Sequence, residues 1–194
     1  QKMMKYAQKI SDFTPLTVHD VEEIRKMGDP YYLGRLTKMN NRLLETIEAN
    51  KKKKGYTVNE SGEVKDEDLF YSIISKFKGK VVLVDFWATW CGPCKMAMKQ
   101  MKPMKKDLEG KDIVYVFIAG ENSPKETWDN MIPDIHGEHY RVTAAQWNYL
   151  SRQFSIQGVP TYIIVDKEGG VIQKYTGFPG VDTVKRELIK ALEK

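Results

Sequence analysis

Cys91 and Cys94 are the residues of this chain whose type and spacing point most directly to chemistry. They are its only cysteines, which excludes a scaffold of several disulfides and a four-cysteine zinc site. A Cys-x-x-Cys pair where a strand ends and a helix begins places its first sulfur near unpaired backbone N–H groups, which stabilise a thiolate. Cys91 is therefore the predicted nucleophile, and Cys94, one turn into the helix, is the predicted resolving thiol.

Asp85 is the second informative residue, because it is a carboxylate in a run of otherwise apolar residues at 81–86. Strand alternation and its distance of six residues from Cys91 allow it to lie beneath the cysteines. Burial there would raise its pKa and let it exchange a proton with Cys94. An aspartate that reaches solvent at the strand end, or caps a backbone group, explains the same residue equally well.

The third feature is the segment Gly158-Val159-Pro160-Thr161, which directly precedes a predicted strand. Proline interrupts strand pairing, and a cis peptide bond before Pro160 is one reading of its position. The backbone N–H and C=O of Val159 would then be free to pair with an extended substrate segment. The spacing alone leaves the trans form open.

Hydrophobic periodicity predicts the elements that position these residues. The N-terminal third is helical, with one helix at 18–27 and a longer one that opens at Asp29-Pro30 and ends at Gly55, whereas 56–68 is a turn or irregular hairpin. A short helix follows from Asp68 to Gly79. Strands are predicted at 81–86, 113–118, 139–142, 161–166 and 171–175, and helices at 94–108, from 123, at 144–154 and at 181–192.

This order predicts an α/β fold, with a mixed sheet that contains one antiparallel hairpin and has helices on both faces. We expect residues 1–65 to be an N-terminal helical extension, or the remnant of a preceding domain, and 66–194 to form the main domain. No run of apolar residues approaches the length that spans a bilayer. Because the chain begins at Gln1, we expect a processed form or a fragment whose signal or anchor segment was removed.

These features together resemble the thioredoxin superfamily, and residues 69–192 are similar to its TlpA/ResA-like bacterial envelope branch. The resemblance is carried by the segment from Val84 to Lys95, which reads VDFWATWCGPCK, and by Gly158 to Thr161, which falls where the family has its cis-proline loop. It implies a thioredoxin-like fold, a central mixed sheet flanked by helices with a helix–strand insertion, which residues 121–142 would supply.

The resemblance also implies roles for individual residues. Cys91 is the nucleophile, Cys94 the resolving thiol and Asp85 the buried proton carrier. Pro160 is the cis residue, and Trp87 and Trp90 are the flanking aromatics. We expect substrate to contact Trp90, Gly92, Pro93, Val159 and Pro160.

Gly92-Pro93 between the cysteines is similar to the reducing thioredoxins. The resemblance therefore implies a protein-disulfide oxidoreductase that reduces extracytoplasmic disulfides in the bacterial periplasm or cell envelope, anchored through a segment absent here. Electrons would come from a membrane or thioredoxin-like donor. No cofactor beyond the redox-active cysteine pair is expected, and no metal.

Two positions depart from the family pattern. The helix-kinking proline usual five residues after the second cysteine is replaced by Lys99, and Pro103 follows four residues later, so any kink should be displaced. The lysine that neighbours the buried aspartate in many thioredoxins has no counterpart between Val114 and Ile118. The resemblance therefore implies a buried Asp85 without this lysine on the neighbouring strand.

Three alternative functions are nucleic-acid binding, peroxide reduction and copper handling. Of the net charge of +5, residues 1–65 carry +4, much of it in the lysine run 51–54, which solvation at a helix end explains without nucleic acid. A peroxiredoxin-like peroxidase shares the fold but needs a single peroxidatic cysteine. A copper-handling envelope protein would use the cysteines with ligands among Met96, Met98, Met101, Met104, His136 and His139. A core stripe explains Met98, Met101 and Met104 more simply.

Overall fold

The computed structural model describes residues 1–194 and divides into two compact units. One contains Gln1–Lys54 and Pro124–Asp134, and the other contains Gly55–Ser123 and Ile135–Lys194. The helices are α1 (Lys2–Ser11), α2 (Val18–Lys26), α3 (Pro30–Asn50), α4 (Leu69–Ile74), α5 (Gly92–Asp107), α6 (Lys125–Met131), α7 (Ala144–Gln153) and α8 (Val181–Leu192). The strands are β1 (Tyr56–Asn59), β2 (Val81–Trp87), β3 (Ile113–Ala119), β4 (Gly137–Arg141), β5 (Thr161–Val165) and β6 (Val171–Thr176). The predicted division between residues 65 and 66 stays a prediction.

Capping residues define the helices of the first unit. Thr17 forms a capping box with Asp20 at the start of α2. The Asp29 carboxylate accepts the N–H of Tyr31 at 3.0 Å where α3 begins. Apolar residues of α1, α2 and α3 form this unit's core: Tyr6, Ile10, Ile24, Leu36, Leu43 and Ile47. Helix α3 ends at Asn50, earlier than the predicted end at Gly55.

A six-stranded sheet in the order β1-β4-β3-β2-β5-β6 forms the centre of the second unit. Strands β1, β4, β3 and β2 pair in parallel, and β5 runs antiparallel to both β2 and β6. All seven residues of β2 are buried, as its run of apolar residues, interrupted only by Asp85, predicts for a central strand. The mixed sheet with its β5–β6 hairpin is the predicted fold class.

Side-chain alternation divides the core between the two faces of the sheet. Val82, Val84 and Phe86 of β2 pack in one cluster with residues of α4 and α7. Val81 and Leu83 pack in the other, with residues of α5 and α8. Asp85 continues the alternation of Val81 and Leu83, so its side chain lies on the face covered by α5 and α8.

Strand β1 was not predicted. Residues 56–68 were expected to be irregular, but Tyr56–Asn59 form an edge strand in register with Gly137–Tyr140. The strand is short, and its central residues Thr57 and Val58 are exposed, so it shows no apolar alternation. Its partner is far away in the sequence, and the pattern of neighbouring residues carries no sign of it.

The expected helix–strand insertion between β3 and α7 is present. It consists of α6, which groups with the first unit, and β4, which pairs with β3 in the second. No helix combines the length and the apolar character needed to cross a bilayer.

Candidate active site

Cys91 and Cys94 form a disulfide at the amino end of α5. After β2 ends at Trp87, the N–H of Cys91 donates to the Ala88 carbonyl at 3.1 Å, and Cys91 becomes the residue that caps α5. Its Sγ accepts the backbone N–H of Cys94 at 3.2 Å. Pro93 lies in the first turn, where a missing N–H costs the helix nothing. A sulfur in this position is held against a positively polarised helix terminus, which favours a thiolate once the disulfide is reduced.

The two cysteines differ in solvent exposure. Cys91 retains 4% of its surface, whereas Cys94 retains none. The large apolar side chains of Trp90 and Met96, on either side of the pair in the sequence, are 53% and 60% exposed. An approaching disulfide therefore meets Cys91 first, beside exposed apolar side chains.

Asp85 is buried in β2, with 1% of its surface exposed and neither carboxylate oxygen hydrogen-bonded. The interpretation of Asp85 as a solvent-reaching or capping residue is therefore wrong. Burial raises the pKa of Asp85 to about 8, and the nearby charge of Lys105 opposes this rise. A carboxyl group with a pKa near neutrality can both take and return a proton under ordinary conditions.

Lys105 is the residue that the sequence analysis missed. It lies on α5 and donates to the His136 carbonyl, and its ammonium group is 4.7 Å from the ring centroid of Tyr115 and 5.2 Å from that of Phe117. Burial lowers the pKa of Lys105 to about 8, while Asp85 raises it. The cation near Asp85 comes from helix α5 and not from strand β3. The spacing of four between Lys105 and the buried Met101 places Lys105 at the edge of the inward face of α5.

The Val159–Pro160 peptide bond is cis, the form that the resemblance implied. Pro160 precedes Thr161, which is in register with Phe86 near the end of β2. The loop therefore lies at the same edge of the sheet as the start of α5. The carbonyl of Pro160 accepts the N–H of Gly177 at 2.9 Å.

The residues expected to contact substrate lie at this edge of the sheet, and they differ in solvent exposure. Trp90, Gly92 and Pro93 are exposed, Val159 is half-buried and Pro160 is buried. Trp87, expected as a flanking aromatic, is completely buried. Their contacts with a substrate remain predictions.

Several of the side chains that the copper-handling interpretation would use as ligands are buried in the core. Met98, Met101 and Met104 are buried on α5, and Met101 and Met104 belong to the core cluster of the α5/α8 face. His139 is buried and stacks on Phe117, with its Nε2 2.6 Å from the Ile135 carbonyl. No three side chains among histidine, cysteine, aspartate and glutamate are grouped to hold a metal ion.

Helix α5 continues through Pro103 to Asp107. Pro103 is exposed, and Lys99, which replaces the usual proline, is exposed as well. Lys99 and the displaced Pro103 therefore lie on the outer side of the helix, away from Asp85 and the buried Cys94.

Comparisons with known proteins agree with this geometry. A family model described as thioredoxin-like matches residues 79–171. A thioredoxin from Staphylococcus aureus is 33% identical over 118 residues, which cover 61% of this chain and 88% of the relative.

Two crystal structures from Chlorobium tepidum are also similar, each with 25% identity over 61% of this chain and 84% of the other. One, a thiol:disulfide interchange protein of the thioredoxin family, has a TM-score of 0.55. The other, a putative thiol:disulfide interchange protein DsbE, has a TM-score of 0.51. Both are consistent with the TlpA/ResA-like branch named from the sequence. With the Cys91–Cys94 pair at the start of α5, these relatives show that the chain belongs to the thioredoxin superfamily and is a protein-disulfide oxidoreductase.

Proposed function

We propose that this protein reduces disulfide bonds of extracytoplasmic proteins through a dithiol–disulfide cycle of Cys91 and Cys94. The observation that carries the proposal is the setting of Cys91. Its sulfur caps α5 and accepts the N–H of Cys94, and of the two cysteines only Cys91 retains exposed surface. The cysteine pair is the complete redox centre, and no further cofactor takes part.

The cycle begins with the reduced protein. The Cys91 thiolate attacks one sulfur of the substrate disulfide, forms a mixed disulfide and releases the other substrate sulfur as a thiolate. Cys94 then gives its proton to the Asp85 carboxylate and attacks the Sγ of Cys91. The second substrate thiolate leaves, the Cys91–Cys94 disulfide forms, and two electrons have passed to the substrate. Substrate backbone pairs with Val159 at the cis-proline loop, beside Trp90, Gly92 and Pro93.

Substitution of each cysteine tests the roles. In an insulin-reduction assay, Cys91→Ser should abolish activity, because it removes the nucleophile. Cys94→Ser should accumulate a mixed disulfide, because nothing resolves it. Lys99→Ala, an exposed change on the same helix, serves as the matched control and should retain activity. Trapping by Cys91→Ser, with none by Cys94→Ser, would reverse the assignment.

The direction of electron flow needs a separate measurement. Gly92-Pro93 supports a reductant, because reducing thioredoxins share this dipeptide. We expect equilibration with dithiothreitol buffers to give a potential closer to about −270 mV, as in thioredoxin, than to about −120 mV, as in a strong oxidant. A value near the second figure would assign disulfide formation to the protein.

Location and electron donor are part of the same proposal. We expect the protein to act in the bacterial periplasm or cell envelope, where substrate disulfides form, and to receive electrons from a membrane or thioredoxin-like donor. The support is the resemblance to the TlpA/ResA-like branch. Trapping with Cys94→Ser in the native host, followed by fractionation, tests both points, and exclusively cytoplasmic partners would contradict the location.

A further inference from the structure

Asp85 has a polar neighbour, Tyr162, that the proposed cycle does not use. Asp85 on β2 and Tyr162 on β5 are register partners in the antiparallel pair. Asp85 is 1% exposed and Tyr162 is completely buried. Both carboxylate oxygens and the phenolic oxygen lack a hydrogen-bond partner. Unpaired buried polar atoms are rare because each costs free energy, so this pair calls for an explanation.

The two side chains share one face of the sheet. Residues directly opposite each other in an antiparallel pair project to the same side, with Cβ atoms roughly 5 Å apart. Tyr162 belongs to the core cluster of the α5/α8 face, and its ring centroid is 5.9 Å from that of Phe178. Burial raises the pKa of Tyr162, and negative charge on Asp85 raises it further. The hydroxyl therefore keeps its proton and remains a donor beside the carboxylate.

The elements around Asp85 offer few other polar groups. Helix α5 contributes the cation of Lys105, and Cys94 is buried at the start of the same helix. Strand β3 places the uncharged Phe117 in register with Asp85, and Tyr115 two residues before it. Helix α8 contributes the apolar Val184 and Leu188 to this face. The Tyr162 hydroxyl is thus the neutral donor from the element directly opposite Asp85.

We infer that Tyr162 is a positioning residue for the proton carrier: its hydroxyl donates a hydrogen bond through one water molecule to ionised Asp85. The inference rests on the proposed function, in which Asp85 receives the Cys94 proton. A hydrogen bond to the charged form of a carboxyl group favours that form. Tyr162 therefore makes the carboxylate available when the S–H bond of Cys94 breaks and its electron pair attacks the Sγ of Cys91.

The test uses the full chain with Tyr162→Phe, which removes only the hydroxyl. Tyr115→Phe is the matched control, because its hydroxyl also lacks a partner but its register partner is Leu83. Carboxyl NMR titration of the oxidised protein should show the Asp85 midpoint raised by about one to two pH units in Tyr162→Phe, as expected for loss of a hydrogen bond to an ionised group. The midpoint should be unchanged in Tyr115→Phe.

Kinetics provide the second readout. Reduced protein is mixed with an aromatic disulfide that yields two coloured thiolates. Release of the first thiolate reports attack by Cys91, and release of the second reports resolution by Cys94. Tyr162→Phe should leave the first release unchanged and slow the second up to about 10-fold near neutral pH. In an Asp85→Asn background, Tyr162→Phe should have no further effect on the second release.

The outcomes separate the two proposals. Absence of the first release from the wild-type protein would refute the proposed function. Normal first release, with an Asp85 midpoint and a second release that Tyr162→Phe leaves unchanged, would overturn only the role of Tyr162. Equal effects of Tyr162→Phe and Tyr115→Phe, or a full effect in the Asp85→Asn background, would also overturn it.

Discussion

Replacing Asp85 by asparagine should change how the stability of the protein depends on pH. Burial raises the pKa of Asp85 from its ordinary value of 3.8 to about 8, so the folded protein holds a proton that the unfolded chain has lost over the intervening range. Because the folded state binds more protons there, the free energy of unfolding falls as pH rises. Asparagine has nearly the same shape and does not titrate, so this contribution disappears.

The size of the effect follows from linkage. Where Asp85 is protonated in the folded state and ionised in the unfolded state, the slope is about 1.36 kcal/mol per pH unit. From about pH 5 to about pH 8, the free energy of unfolding of Asp85→Asn should therefore gain roughly 4 kcal/mol relative to that of the wild type. Lys105, whose pKa is lowered from 10.5 to about 8, contributes mainly above this window.

The assay is urea unfolding of the oxidised protein at several pH values, followed by tryptophan fluorescence, since Trp87 lies two residues after Asp85 in β2. Keeping the disulfide closed removes thiol titration. A pH-independent cost of burying the asparagine amide does not affect the result, because the quantity compared is how the difference in unfolding free energy between the two proteins changes with pH. Asp107→Asn replaces an exposed carboxylate and should retain the wild-type pH dependence. A pH-independent difference between Asp85→Asn and the wild type would refute the buried-acid reasoning.

Two further predictions concern the surroundings of the site. Lys105→Met keeps a long apolar stem but removes the cation that opposes the rise in the pKa of Asp85, so the Asp85 midpoint in a carboxyl NMR titration should move above about 8; a fall would contradict this cause. Gly137→Ala would place a Cβ 2.6 Å from the Tyr115 carbonyl oxygen at a φ of +147°, and should lower the free energy of unfolding by about 2–3 kcal/mol in urea titrations. Gly110→Ala, at a φ of +81° with open space around it, should lose less, and an equal loss would show that the close approach is not the cause.

Much of the second unit could be predicted from local patterns. The mainly apolar runs at β2 and β3 and the apolar stripe of α5 are strong signals, and α8 begins and ends at the predicted residues. Cys91 and Cys94 can be singled out in the sequence because their spacing carries chemistry in itself, and the structure joins them in a disulfide. Asp85 can be singled out because a charge in an apolar strand is costly; the structure shows it buried, and its role as proton carrier stays a prediction.

The features that were missed depend on contacts between distant segments. Strand β1 pairs with β4, and nothing near Tyr56 in the sequence shows that partner. Lys105 lies on a helix that carries several lysines. Its spacing of four from Met101 indicates the edge of the inward face, but only the packing of α5 on the sheet brings its charge near Asp85. Tyr162 looks like an ordinary core aromatic until the β2–β5 register places it opposite Asp85.

The short first strand of the sheet has a practical consequence for anyone shortening this protein. A recombinant fragment starting at residue 66 would lack Tyr56–Asn59 and leave the outer backbone groups of Gly137–Tyr140 without their parallel partner. Uncovered strand backbone is a template for pairing with a neighbouring molecule, so such a fragment would be prone to self-association. Retaining the chain from Gly55 onward keeps β4 paired on both sides and leaves only the short strand β1 at that border of the sheet.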